Sequence, residues 1–501
     1  MTARLVSLGD SLTQGFQHGA IRRTAWAFPA LVARALGAEP FRAPDFSGGG
    51  GGGPLLDLEL LLGRLSMKAG QRLDLYDVPS ALFTVQQTMG LVEDYWERGP
   101  GTQPSDTGPI HHNLGNWGFD VLDATTLSDA VCAKNTPPPH HNLLRQLPEN
   151  AMYRSARRAC NPAQRRDLAA LTPLGLAHRL GEEDGIENLL VGLGANNALG
   201  TCVSLKLRRS HHADLALLAH ERDCNLWEPD HFAIAYRDLA RQLERISAKR
   251  VFLTTVPHVT IAPVTRGVSP HARASGGSEL EGGYYEYYTS FWIWDQHFSP
   301  ERNRYLTREQ ARQVDFSIDA YNQSIVHEAR SRGWHVIDLC QLLDQLAFRR
   351  HDGRPPYRFP AGLVQALADN PLTAFRVRPD GEVLLDTRYI RIPATFPAES
   401  ASSREWRTAF KGGLFGLDGV HPTTIGYGLV AHEVLRAFQA AGVPGADPSK
   451  LDWPAIVAND TLLTETPALL VSLERTLDAL FAKLPLDALI EKLGGYGAEE
   501  L

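Results

Sequence analysis

The sequence predicts an α/β protein with a parallel sheet covered by helices on both faces. Three observations predict it. Strand-like apolar runs recur at 4–8, 188–193, 250–256 and 334–339. Helical periodicities alternate with them, most clearly over 232–247 and 314–332. Strands alternating with helices of that length call for crossover connections, which are right-handed and place helices on the sheet faces. The composition, 43% hydrophobic and 21% charged, supplies enough apolar surface for a core and disfavours disorder.

In chain order, the first strand ends in Gly9-Asp10-Ser11-Leu12, where Gly9 permits a tight turn and Ser11 opens a helix. An excursion over 40–110 follows, with six consecutive glycines at 48–53. That run satisfies a dinucleotide fingerprint only trivially and follows no strand, so it reads as a surface connection, and the excursion must fold away from the sheet. Asn113-Leu114-Gly115-Asn116-Trp117-Gly118 comes next. A second excursion, 131–185, carries Arg154, Arg157, Arg158, Arg165 and Arg166, read as a solvated helix face. The strand at 188–193 runs into Gly194-Ala195-Asn196-Asn197.

The third excursion, 266–310, concentrates aromatics, among them Tyr287, Phe291, Trp292 and Trp294. Two readings stay open for it: a satellite core under a long loop, or a substrate-facing wall or lid. Residues 345–405 carry a hairpin signal at Pro379-Asp380-Gly381. Asp418-Gly419-Val420-His421-Pro422 precedes a helix entry at Thr423 and Thr424. From 446 a helical extension follows, with Leu469, Leu470, Leu473, Leu477, Leu480, Phe481 and Leu484 on one face, expected to pack back on the body.

Charge and targeting narrow the partners. Fifty basic against 57 acidic residues leave −7, so no whole-molecule attraction to nucleic acid or anionic lipid is expected. No apolar run is long enough to span a bilayer. The N-terminus has no signal-peptide apolar region, and five scattered cysteines fit reduced thiols. A cytoplasmic location is expected, although a secreted chain shorn of its leader would read the same. The histidine doublets at 111–112, 140–141 and 211–212 lack metal-ligand spacing, so neither metal nor cofactor is expected.

The remaining signals are chemical. A serine needs a base to become a nucleophile near neutral pH. A carboxylate three residues before an imidazole can curl round and bond its Nδ1–H, leaving Nε2 for the serine. The glycines of 113–118, through a backbone N–H, and a side-chain amide in 194–197 each fit a donor to a developing oxyanion. Taken singly, Ser11 is an ordinary helix N-cap, Asp418 and His421 turn or surface residues, and Gly115, Gly118 and Asn196 loop residues.

Together the four blocks resemble the SGNH, or GDSL-type, serine hydrolases: Gly-Asp-Ser-Leu at 9–12, N-x-G-x-x-G at 113–118, G-x-N at 194–196 and D-x-x-H at 418–421. The resemblance implies a three-layer α/β/α, flavodoxin-like sheet and cofactor-free hydrolysis of carboxylic esters, as an esterase or lipase. It implies Ser11 as nucleophile, His421 as base then acid, and Asp418 as its orienting carboxylate. Ser11, Gly118 and Asn196 become the oxyanion hole, and the partner a small-molecule or lipid-like ester. One departure is Asn197, where the family's third block usually ends in Asp. With Ser11 and His421 in one site, residues 1–445 form one decorated hydrolase domain and 446–501 an extension. Two alternatives remain: an acyltransferase using the same residues, and a non-catalytic interaction protein on the same scaffold.

Overall fold

The computed structural model describes residues 2–21, 23–48, 53–70, 76–105, 108–136, 148, 150–221, 223–275, 278–293, 298–348, 357–393, 395–398 and 400–472. Its centre is an all-parallel sheet of β1 (Val6–Gly9), β2 (Ile186–Gly192), β3 (Ala248–Thr254) and β4 (His335–Ile337), in that spatial order. The strands sit where the apolar runs predict them, shifted by one or two residues. Val6, Leu8, Leu189, Leu190, Val191, Val251, Phe252 and Leu253 are all buried, as strands covered on both faces require.

Outside β1 lies the 112–116 segment. Ser7 N–H donates to His112 O (2.8 Å), Leu114 N–H to Ser7 O (2.8 Å) and Asn116 N–H to Gly9 O (3.0 Å). The order across the sheet is therefore (112–116)-β1-β2-β3-β4, which brings the second block alongside the first.

The helices include α1 (Ser11–Gln14), α2 (Phe28–Leu36), α3 (Pro173–Glu183), α4 (Asn196–Ser204), α5 (Pro229–Leu243), α6 (Arg308–Ser331), α7 (Leu339–Leu346) and α8 (Thr424–Ala440). α2 packs on α8, whose Phe438 meets Phe252 of β3 at 4.2 Å between ring centroids. α5 packs on α6 through Phe232 and Tyr321, stacked at 4.0 Å. This arrangement is compatible with three α/β/α layers. The apolar core runs from Ala3 to Leu470. No helix among the described residues is long and apolar enough to cross a membrane.

The excursions differ from expectation in two places. The 40–110 excursion does not fold away from the sheet edge. Its Phe46, Leu55, Val92 and Trp96 cluster with Phe16, Ile21 and Trp117, because the short hairpin after α1 presents an apolar face that needs covering. The basic run of 151–166 is not simply a solvated face. Arg154 is held near Glu97 (3.7 Å), Arg157 pairs with Asp129 (2.8 Å), and Arg158 lies over the Trp96 ring (5.2 Å).

The 266–310 region folds as a small antiparallel sheet of Thr265–Val268, Tyr287–Ser290 and Leu306–Thr307. At the expected hairpin, Val377 bridges Val383 around Gly381, whose φ of +83° the turn requires. Its first arm is a 3-10 turn at Ala374–Arg376 rather than a strand. The extension packs back as far as Leu470: Trp453, Ile456, Leu462, Leu463, Leu469 and Leu470 are buried. The remaining leucines of the expected amphipathic face, from Leu473 on, lie outside the described residues.

Candidate active site

The first block builds a tight corner. Gly9 ends β1 opposite Gly192 of β2. A Cβ on Gly9 would meet Thr13 Oγ1 at 2.1 Å and Gly192 O at 2.6 Å, so only glycine fits. Asp10 caps α1 by accepting from Leu12 N–H at 3.0 Å. Ser11, not the cap, is the first helical residue. Burial pushes the Asp10 carboxyl up to about 6, against the lowering effect of the Leu12 N–H and the His421 charge.

The second block is laced to this corner. Asn113 Nδ2 donates to Thr13 O (2.8 Å) while its Oδ1 accepts from Gly115 N–H (3.0 Å). A Cβ at Gly115 would sit 2.8 Å from Thr13 Cβ, so this close approach needs glycine. Gln14 Oε1 accepts from Trp117 N–H (2.8 Å), which fixes the entry to Gly118 at φ +77°. Asn116 Oδ1 accepts from Ser155 Oγ at 2.6 Å.

The third block leaves β2 and opens α4. Asn196 Nδ2 donates to Phe119 O at 2.8 Å, which orients the amide beside the second block. Asn197 performs bracing with its amide oxygen, accepting from Val121 N–H (3.3 Å), and its carbonyl accepts from Trp227 N–H (2.9 Å). A carboxylate is thus not needed there to tie the loop to the 119–122 segment.

The fourth block is a closed loop. Gly416 N–H donates to His421 O (2.7 Å), and Thr423 caps α8. Asp418 Oδ1 accepts from Val420 N–H (2.8 Å) and His421 N–H (2.9 Å). Its Oδ2 lies 3.1 Å from His421 Nδ1 and accepts from Gly19 N–H at 2.7 Å. Burial opposes the ionised form of Asp418, but the His421 charge and these hydrogen bonds win and hold its pKa at about 2. The His421 ring packs on Phe16, 4.4 Å between centroids.

All five expected site residues meet. Ser11, Gly118, Asn196, Asp418 and His421 line one cleft, walled by Phe16, Trp117, Leu199, Val203, Val264 and Val420. No Ser11–His421 hydrogen bond forms among the described residues; such contacts are often long without substrate and tighten in its complex. The wall residues escaped sequence reading. His18-Gly19, both at positive φ (57° and 90°), is a two-residue hairpin turn whose signal could have located Phe16.

The aromatic candidates do not join them. Tyr287, Phe291 and Trp292 are absent from the cleft lining. Tyr287 packs on Phe298 and Tyr305, while Phe291 stacks on Tyr389 at 4.5 Å and meets Trp292 at 4.9 Å. Tyr389 in turn donates its hydroxyl to Leu417 O, just before Asp418, at 2.7 Å. Trp294 lies outside the described residues. None of the five cysteines, all buried, is in a disulfide. Away from the cleft, His258, Cys340 and Asp344 place potential metal-ligand atoms within 4.8 Å of one another. No protein-family model, curated protein or solved structure matches the chain.

Proposed function

We propose that this chain is a serine hydrolase of the SGNH type that cleaves carboxylic esters of short acyl groups through an acyl-enzyme. The observation that carries the reading is the convergence of Ser11, Gly118, Asn196, Asp418 and His421 on one cleft from four separated blocks. The strand order counted with 112–116, 2-1-3-4-5 in chain order, is that of a flavodoxin-like sheet, and the cleft sits at the carboxyl ends of its strands.

In the proposed reaction Asp418 holds His421 Nδ1–H, so Nε2 is the free base. His421 Nε2 takes the Ser11 hydroxyl proton as Ser11 Oγ attacks the acyl carbon. The backbone N–H groups of Ser11 and Gly118 and the Asn196 amide receive the developing oxyanion. His421 returns the proton to the leaving alcohol, and the C–O bond breaks. Water, activated by the same imidazole, then releases the acid. A low Asp418 pKa keeps the orienting carboxylate ionised throughout the working range.

Short acyl groups follow from the walls. Phe16, Trp117, Leu199, Val203, Val264 and Val420 give an apolar but small cleft, and Tyr287, Phe291 and Trp292 do not line it. Ser11→Ala tests the assignment: hydrolysis of p-nitrophenyl acetate is expected to vanish while the far-ultraviolet circular dichroism stays that of the parent. Undiminished turnover in a folded variant overturns it.

A further inference from the structure

A second constellation stands at the same sheet edge, two strands away from Ser11, and the proposed hydrolysis does not use it. His258 lies in the turn after β3 and is buried. Its Nδ1 is 2.9 Å from Asp344 Oδ1 and 3.6 Å from Cys340 Sγ. Its Nε2 is 3.1 Å from Asp319 Oδ1. Cys340 and Asp344 are four residues apart on α7, and so project from one helix face. Asp319 comes from α6.

An ion pair alone explains only part of this. An imidazolium Nδ1–H carries one proton and satisfies one acceptor, which Asp344 supplies. The thiol at the same nitrogen is surplus to an ion pair, yet its backbone is firmly placed. Cys340 N–H donates to Thr255 Oγ1 (2.9 Å), Thr255 Oγ1 donates to Asp338 Oδ1 (2.9 Å), and Thr255 N–H to Ile337 O (2.9 Å).

We infer that His258 Nδ1, Cys340 Sγ and Asp344 Oδ1 are the ligands of a divalent cation of borderline softness, zinc by preference, with Asp319 as the carboxylate that orients His258. Zinc–nitrogen bonds of about 2.0–2.1 Å and zinc–sulfur bonds of about 2.3 Å separate N and S by about 3.6 Å in a tetrahedral site. The Nδ1–Sγ distance is 3.6 Å. The Asp344 oxygen, 2.9 Å from Nδ1, has to move outward by about half an ångström, which a side chain 30% exposed permits. A metal-bound imidazole usually gives its other N–H to a carboxylate, and Nε2 faces Asp319.

Charge also balances. His258 Nδ1–H and the Cys340 thiol each give a proton to solvent on binding, the imidazole keeping its Nε2–H toward Asp319, and thiolate plus Asp344 carboxylate neutralise the 2+ ion. Asp319 is exposed and Asp344 partly so, which places both carboxylates on the solvent side of His258. Three protein ligands leave a fourth position for water. The bound ion clamps α7 to the turn after β3.

The test titrates the chelator-treated full-length protein with Co²⁺. One equivalent is expected to bind with a thiolate-to-cobalt charge-transfer band in the near ultraviolet. Cys340→Ser loses that band, and Ser11→Ala keeps it, so the result is independent of the hydrolase reading. Asp319→Asn, a positioning change, retains the band with affinity weakened about 10–100-fold. Should Cys340→Ser fail to fold, Asp344→Asn replaces it and weakens binding by at least that factor. No thiolate band in the parent, or an unchanged titration in these variants, overturns the site and leaves an ion pair beside a spectator thiol.

Discussion

Gly19 donates its backbone N–H to Asp418 Oδ2 at 2.7 Å across 399 residues of chain. The oxygen that receives it is the one that faces His421 Nδ1. The hairpin after Ser11 therefore fixes the carboxylate of the last block, while its Phe16 lies against the His421 ring. Leu417 N–H adds a bond to His18 Nδ1 at 3.0 Å, and Tyr427 OH one to Phe16 O at 2.6 Å. The two ends of the proposed catalytic machinery are thus joined directly.

Asp418→Asn keeps the size of the side chain but removes the charge and offers the imidazole an amide. Asn can leave His421 in the wrong tautomer, so kcat on p-nitrophenyl acetate is expected to fall by about 10³–10⁴ with the fold retained. Steady-state kinetics checks this. A loss of less than about tenfold would separate Asp418 from the chemistry.

Asn196→Ala removes one proposed oxyanion donor. The expected loss is about 10²–10³ in kcat with KM nearly unchanged, since the donor acts on charge present only in the transition state. The Phe119 carbonyl loses its 2.8 Å partner as well, so thermal unfolding is measured beside the kinetics. A rise in KM with constant kcat would assign Asn196 to ground-state binding instead.

Acyl-chain selectivity is expected to follow the cleft and ignore the aromatic excursion. Val203→Phe narrows the lined space and should sharpen the preference for acetyl over butyryl esters. Tyr287→Ala and Trp292→Ala should leave that preference in place, because neither residue lines the cleft. A series of p-nitrophenyl esters gives the answer, and a changed preference in Trp292→Ala contradicts the wall assignment.

The two buried carboxyls pull stability in opposite directions with pH. Asp10, raised from 3.8 to about 6 by burial, binds more proton in the folded than in the unfolded chain between those values. Its contribution to stability therefore falls as pH rises through that window, by on the order of 3 kcal/mol. Asp10→Asn still caps α1 and should remove this loss, so urea midpoints of parent and variant diverge between about pH 4 and about pH 7. Asp418, lowered from 3.8 to about 2, stabilises the fold above the upper value. That contribution, about 2 kcal/mol, disappears as pH falls through the window, and Asp418→Asn should flatten the parent's acid limb there.

The strands and the blocks were legible because each rests on local rules. Apolar runs mark Leu189–Val191 and Val251–Leu253, glycine marks the β1 corner, and Thr423 marks the start of α8. The cleft walls were not. Phe16 and Trp117 meet ring to ring at 5.6 Å from distant parts of the chain, and Phe46, Leu55, Val92 and Trp96 pack with them from an excursion whose sequence carries no sheet rhythm. The aromatic run at 284–298 left two readings because aromatic density records burial, not what is buried against. Phe291 on Tyr389 resolves that locally in favour of packing. Asn197, the departure from the resembled third block, ties its loop to the 119–122 segment through an amide oxygen that accepts from Val121 N–H, a contact between distant segments that no local rule marks.

The most direct test of the account is covalent labelling of the full-length protein with a fluorophosphonate, read by peptide mass spectrometry. One adduct is expected, on Ser11, that disappears in Ser11→Ala and is strongly slowed in a folded His421→Ala. Labelling absent from Ser11, or placed on another residue, would contradict it.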